Sequence, residues 1–279
     1  MNRKKLMYNI WITTWYTVRE ALARKVFLFF LILSAIAIVI TAVVVNVLSD
    51  AALISGIDPE QSSLIYEEIA SSIQLIIITP LATLCILLAI FSSASFVPNM
   101  LEKGNIDLLL SKPISRPQLL TGKFLGGLLV VLLNLGFLII GVWFVIAVRF
   151  GTFNFTFLSI ILSITFTFAV LYALMVLFGV ITQGSVPGMM IAYFIFLILS
   201  PLLYSGKNQF DKLITSDFLK AVIDFFYYLL PKTTELMGGI TMDLALGKGI
   251  ADWQPVLTSL GFMIAVFGYA VYIFGKKDF

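Results

Sequence analysis

Five stretches of this chain carry no charged side chain and are each long enough to cross a bilayer: Val26–Leu48, Ile73–Val97, Phe124–Val148, Phe155–Ile181 and Val256–Gly275. A hydrocarbon core of about 30 Å takes about 20 residues of helix. Within lipid, backbone polar groups must be satisfied internally, which makes the helix the natural form for such a run. A sixth stretch, Val186–Ser205, is shorter and holds Pro187 and Pro201. The chain is 60% hydrophobic and 12% charged, against about 45–50% and about 25% in soluble domains. The sequence therefore predicts an all-α integral membrane protein with six transmembrane helices, forming a single transmembrane domain over residues 1–279.

Between Phe150 and Gly206 there is no charge at all, room for two spans. The break is the turn-rich Thr182-Gln183-Gly184-Ser185-Val186-Pro187-Gly188, so spans 4 and 5 form a tight helical hairpin. Pro80 and Pro201 are expected to kink spans 2 and 5. Val26–Leu48 is too long for the apolar part of a cleaved signal, about 7–15 residues, and reads as a retained first helix.

The basic residues of the connections set the orientation. Arg3, Lys4, Lys5, Arg19, Arg24 and Lys25 precede span 1, against the single acid Glu20. Asp50, Asp58, Glu60, Glu67 and Glu68 lie between spans 1 and 2, with no Lys or Arg. Lys103, Lys112, Arg116 and Lys123 lie between spans 2 and 3, and Lys276 and Lys277 follow span 6. Both termini are thus expected in the cytoplasm, with six spans between them. Trp11, Trp15, Val18 and Leu22 recur at helical spacing opposite Arg19, Glu20 and Arg24, the pattern of a helix lying in the cytoplasmic interface over residues 1–25. On the outer side, residues 207–254 carry Leu213, Leu219, Val222, Phe226 and Leu229 at helical spacing, ended by Pro231. That segment is expected to be an amphipathic helix or a re-entrant element.

Several classes of chemistry are excluded by what the chain lacks. It has no histidine and one cysteine, Cys85, so His-based catalysis and an intrachain disulfide are out of reach. No carboxylate lies inside the predicted spans, the usual mark of a proton or sodium pathway. Asn46, Asn134 and Gln74 read as helix–helix hydrogen-bonding groups, and the G-x-x-x-G of Gly122 and Gly126 as a weak packing signal. The nearest approach to a phosphate-binding loop, Pro117 to Phe124, has Pro in place of the first Gly and Phe at its end. No ATPase site, cofactor or metal site is expected, and the formal charge of +3 does not suggest nucleic acid.

The most informative connection is Pro98–Lys123. Met100, Leu101 and Leu108–Leu110 alternate with Glu102, Lys103 and Asp107, suggesting a short amphipathic helix that Pro113 stops. Ser115 can cap the next helix and Pro117 fits its first turn. The result is a compact knob on the cytoplasmic face, open to reading as a docking element or as a plain polar loop.

The pattern Glu102-x-Gly104, Leu109-Leu110-x-x-Pro113-x-Ser115-Arg116 and Gly122-Lys123 resembles permease subunits of the type-2 ABC exporter family. The likeness looks closest to the branch holding the permease of the nitrous-oxide-reductase accessory transporter. It extends to the Arg19-Glu20 helix, the six spans, the outer loop and the ending Gly275-Lys276-Lys277-Asp278-Phe279. The resemblance implies a homodimer of permeases in the inner membrane of a prokaryote. It also implies a separate ABC ATP-binding subunit contacting a coupling helix in the span 2–3 connection. Carried over, Glu102, Lys103, Gly104, Asp107, Pro113, Ser115 and Arg116 become the docking residues, and the outer face leaves room for a periplasmic or extracellular accessory protein. A stand-alone channel or secondary transporter, and a module relaying ATPase motion to an envelope machine, remain alternatives; a membrane enzyme lacks its usual parts. The substrate is not encoded legibly.

Overall fold

The computed structural model describes residues 3–23, 25–54, 80–102, 104, 114–151, 153–208 and 217–277. Every regular element among them is helical. In chain order these are α1 (Arg3–Leu22), α2 (Lys25–Ile54), α3 (Pro80–Leu101), α4 (Arg116–Phe150), α5 (Phe155–Thr182), α6 (Ser185–Lys207) and α7 (Asp217–Leu229). They are followed by α8, a π-helical turn over Glu235–Ile240 continued by Thr241–Ala245, and by α9 (Gln254–Lys276). Six helices are long and apolar enough to cross a membrane: α2 through Phe27–Val47, α3, α4, α5, α6 and α9.

Two span boundaries differ from the sequence reading, each for a local reason. The third span starts at Arg116 rather than Phe124. Ser115 sits extended at its N-cap, a proline occupies the first turn, and the Ser115 backbone N–H donates to the Gln118 side chain at 3.2 Å. The expected capping role of Ser115 and Pro117 is thus present, and the helix it starts is longer than the apolar run. The second span continues to Leu101, where Phe96, Val97, Pro98, Met100 and Leu101 are all buried. Pro98 has no N–H to offer the Ala94 carbonyl, and the helix shows a turn at Ala94 and Ser95 before resuming at Phe96. Met100 and Leu101, expected in the connection, therefore belong to the bundle. Residues 73–79 of the predicted second span lie outside the described residues.

The core is built around α5, whose most apolar window is 83% buried, while that of α9 is only 11% buried. Tyr172 of α5 stacks between Phe124 and Phe168, with ring centroids 5.4 and 5.2 Å away. Helices in lipid are not driven together by a hydrophobic effect, since lipid is as apolar as leucine; close packing and interhelical hydrogen bonds hold them. The exposed outer faces of α2, α6 and α9 are correspondingly apolar.

The connection before α9 contains an amphipathic helix followed by a segment that packs back on the bundle. Helix α7 lies against the end of α6, where Lys207 Nζ pairs with Asp224 Oδ1 at 2.8 Å. The chain then turns inward. The Lys232 N–H donates to Ser259 Oγ of α9 at 3.1 Å, and the Thr234 N–H donates to Ser200 Oγ of α6 at 3.0 Å. Ser200 lies about two turns inside the Lys207 end of α6, so the segment dips roughly 10 Å past that end at about 1.5 Å per residue. On α5, Ser163 Oγ meets Thr241 Oγ1 at 3.0 Å and donates to the Leu236 carbonyl at 3.4 Å. Leu236, Ile240, Leu244 and Ala245 are buried against the bundle. The proline in α6 acts as expected of a helix breaker, since Pro201 has no N–H for the Leu197 carbonyl and Ile195–Leu199 just before it is a π-turn.

Replacing Ser200 or Ser259 by Ala strands a backbone N–H in an apolar setting, costing about 1–3 kcal/mol each. The expected readouts are a lower unfolding temperature in detergent and faster thiol labelling of a G239C probe in a C85S background.

Candidate functional site at the α1 end of the bundle

One end of the bundle gathers α1, the end of α3, the start of α4, the α5–α6 hairpin and the end of α9. Its foundation is the seam between α1 and α4. A Cβ added at Gly122 would lie 2.5 Å from Thr13 Cβ and 3.1 Å from the Ile10 carbonyl oxygen. A Cβ at Gly126 would lie 2.5 Å from Thr17 Cβ and 3.0 Å from the Thr14 carbonyl oxygen. Two threonines four residues apart thus seat on two glycines four residues apart. The G-x-x-x-G signal, weak in sequence, is the floor of this seam; its partner stripe of threonines was the clue that would have raised it.

Polar bonds lock the register. Thr14 Oγ1 reaches the Gly122 carbonyl at 3.3 Å, and Asn9 Nδ2 donates to Gln118 Oε1 at 3.1 Å. Lys123 Nζ pairs with Glu20 Oε2 at 2.7 Å and stands 5.8 Å from the Tyr16 ring centre. Lys123, read from sequence as a basic flank of the third span, is instead buried inside it at 3% exposure. The buried face of α1 is Thr13, Thr14, Thr17, Val18 and Ala21, whereas Trp11, Trp15, Tyr8 and Tyr16 are exposed. Of the helical stripe read from sequence, Trp11, Trp15, Val18 and Leu22, Val18 alone is buried.

A second set of contacts fastens the helix ends. Arg116 Nη1 donates to the Lys277 carbonyl at 2.5 Å and to the Gly275 carbonyl at 3.4 Å. Lys277 Nζ donates to the Val180 and Ile181 carbonyls at 2.8 and 3.1 Å. The last carbonyls of a helix have no intrahelical donor and carry its partial negative charge, so cations settle there. Arg116 and Lys277 together clasp the start of α4 to the ends of α5 and α9. Between α5 and α6, Gln183 takes a left-handed conformation at φ 55°, which makes the hairpin expected from sequence tight.

Of the residues expected to dock a partner, Glu102 is exposed in extended backbone at the end of α3, and Gly104 is exposed at φ +93°, a conformation that favours glycine. Ser115 and Arg116 stand at the start of α4, with Arg116 engaged in the clasp. Lys103, Asp107 and Pro113 lie outside the described residues. Among the described residues no cluster of acidic, Cys or His side chains could hold a metal ion, and Gly122-Lys123 lies within α4, facing α1.

These features define a polytopic helical membrane protein whose first helix packs on α4 and whose last span is preceded by a segment packed back on the bundle. The sequence model described as ABC-2 family transporter protein matches residues 11–279, and the chain belongs to that family, whose members are permease subunits of ABC transporters served by an ATP-binding subunit. Comparison with curated proteins gives no match.

Two series of variants test the seam. Gly126→Val is expected to force α1 off α4 at a cost of about 1–3 kcal/mol, and Thr17→Gly in the same chain restores part of it. Lys123→Met alone removes the pairing of the partly exposed Glu20 and costs about 1–2 kcal/mol, while Glu20→Leu with Lys123→Met costs less. Thermal unfolding in detergent reads both series.

Proposed function

We propose that the chain is the membrane half of an ATP-driven exporter, working as a homodimer and docked through residues 98–123 to separate ATP-binding subunits. The particular branch suggested by the sequence resemblance is that of the permease of the nitrous-oxide-reductase accessory transporter. In this reading the protein sits in the cytoplasmic membrane of a prokaryote, with both termini and the α1 end of the bundle facing the cytoplasm. The far end, with residues 207–254, then faces outward and is available to an accessory protein.

The observation that carries the proposal is the clasp around Arg116. A docking segment leaving α3 at Glu102 re-enters the bundle at Ser115 and Arg116. Arg116 holds the last carbonyls of α9, and Lys277 holds those of α5. Helix α1 is bolted to α4 along the Gly122–Gly126 seam. A displacement of the docking segment, driven by ATP-dependent closure of the partner pair, is thus shared among α1, α4, α5 and α9 rather than dissipated in a loop. Nucleotide supplies the difference in free energy between the two states through its tighter hold on the closed pair. Glu102, Lys103, Gly104, Asp107 and Pro113 form the contact in this reading, and Ser115 and Arg116 pass it inward.

Purification of the tagged chain from its host in mild detergent is expected to recover an ATP-binding subunit in about equal amount. Reversing the charges of Glu102 and Asp107 together should abolish that recovery; undiminished recovery would overturn the docking assignment. Lys277→Met opens the clasp without touching the docking segment. It should leave recovery intact and weaken the response of ATP turnover to the permease by several-fold.

A further inference from the structure

At the end of the bundle opposite α1, Lys232 presents an unusual balance of forces. Its side chain is 3% exposed, and its Nζ has no hydrogen-bond acceptor among the described residues. The ammonium lies 3.8 Å from the ring centre of Tyr227 and 5.0 Å from that of Tyr228. Such contacts contribute roughly 1–2 kcal/mol each, while taking an ammonium out of water costs several. The nearby carboxylate of Glu235 accepts from the Tyr227 hydroxyl. Burial lowers the Lys232 pKa from its ordinary value, with Glu235 pulling the other way. The charge is built in and partly compensated, and among the described residues it has no acceptor.

Lys232 lines a cleft with Ser200, Tyr204, Tyr227, Thr234 and Glu235, whose innermost space of about 10 Å³ admits one water-sized atom. Ser200 Oγ is occupied by the Thr234 N–H and hydroxyl, both at 3.0 Å, so the lining is held by its own bonds. Next to the cleft, α7 exposes Phe218, Phe225 and Leu229. Their spacing of seven and four residues puts them on one stripe. An exposed aromatic stripe on an amphipathic helix, set at the end of the spans, fits the boundary between acyl chains and headgroups.

We propose that this cleft seats a phosphate oxygen of a net-anionic membrane lipid, with the Lys232 ammonium as donor and the acyl chains along the Phe218–Phe225–Leu229 stripe; a zwitterionic headgroup offers the same oxygen beside its own cation and binds more weakly. The cleft is small, so most of the headgroup stays in the headgroup layer where the stripe already lies. A small soluble anion would use the same ammonium but gain nothing from the stripe. The site is independent of any ATP-binding partner.

Native mass spectrometry of the purified full-length chain, offered phosphatidylglycerol or phosphatidylcholine, tests it. The wild-type chain is expected to retain the anionic lipid about tenfold better, the scale of one charge-assisted hydrogen bond. Lys232→Met should bring the two lipids close to parity, whereas Lys232→Arg keeps the preference. Lys248→Gln, which removes an exposed lysine at the same end, should also leave the preference unchanged. Parity between lipids in the wild-type chain would overturn the proposal, and that result does not depend on how the Met variant folds. An equal loss in Lys248→Gln would overturn it as well, by showing general charge attraction. So would displacement of the lipid by millimolar inorganic phosphate, which would make the site one for a soluble anion.

Discussion

No water is at hand inside a membrane to satisfy the end of a helix or an irregular turn, so each such place must be met by protein. That constraint accounts for most of the polar contacts described above. The last carbonyls of α5 and α9 are met by Lys277 and Arg116. The N–H groups of Lys232, before a helix, and Thr234, in its first turn, have no intrahelical acceptor and are met by Ser259 and Ser200. Threonines within α1, α2 and α5 return their hydroxyls to carbonyls four residues earlier, as Thr17, Thr41 and Thr167 do. With these groups settled locally, the remaining surface is apolar, and helices pack wherever small residues let them approach.

The same constraint explains why the two ends of the bundle differ. At the α1 end the polar groups link separate helices into one body, through long cationic side chains that reach from one helix terminus to another. At the far end they hold a single re-folded segment in a socket formed by α5, α6 and α9. The first arrangement suits the transmission of displacement, the second the shaping of a surface next to lipid. Both rest on side chains whose hydrogen bonds run between elements distant in sequence.

Much of this was legible in the sequence, where the chemistry was one-dimensional. Uninterrupted apolar runs predict the spans, and the turn-rich residues 182–188 predict the hairpin. Ser115 and Pro117 predict the start of α4, though not that the helix would include Lys123. The boundary lies further out because a lysine, ordinarily the edge of an apolar run, is neutralised here by Glu20, more than a hundred residues away. Arg116 was legible as a conspicuous residue but not as a clasp, since its acceptors are backbone carbonyls, which every residue possesses. The pairing of Gly122 and Gly126 with Thr13 and Thr17 was present as two matching spacings, and only the fold brings them face to face. Lys232 looked like one charge among many in a near-neutral loop; its burial depends on the inward turn that Ser200 and Ser259 create.

Helix α4 has 35 residues, a length of about 52 Å at about 1.5 Å per residue, against a hydrocarbon core of about 30 Å. Nothing in its own apolar surface fixes which part of that rod sits at mid-bilayer. Helix α1 does so. It is keyed to α4 at Gly122 and Gly126, so it can shift along α4 only by abandoning both notches at once, and its exposed Trp11, Trp15, Tyr8 and Tyr16 favour the level of the lipid headgroups. The pair behaves like a float fixed to a mast. Membrane thickness then sets the height of α4, and with it the height of everything fastened near Arg116.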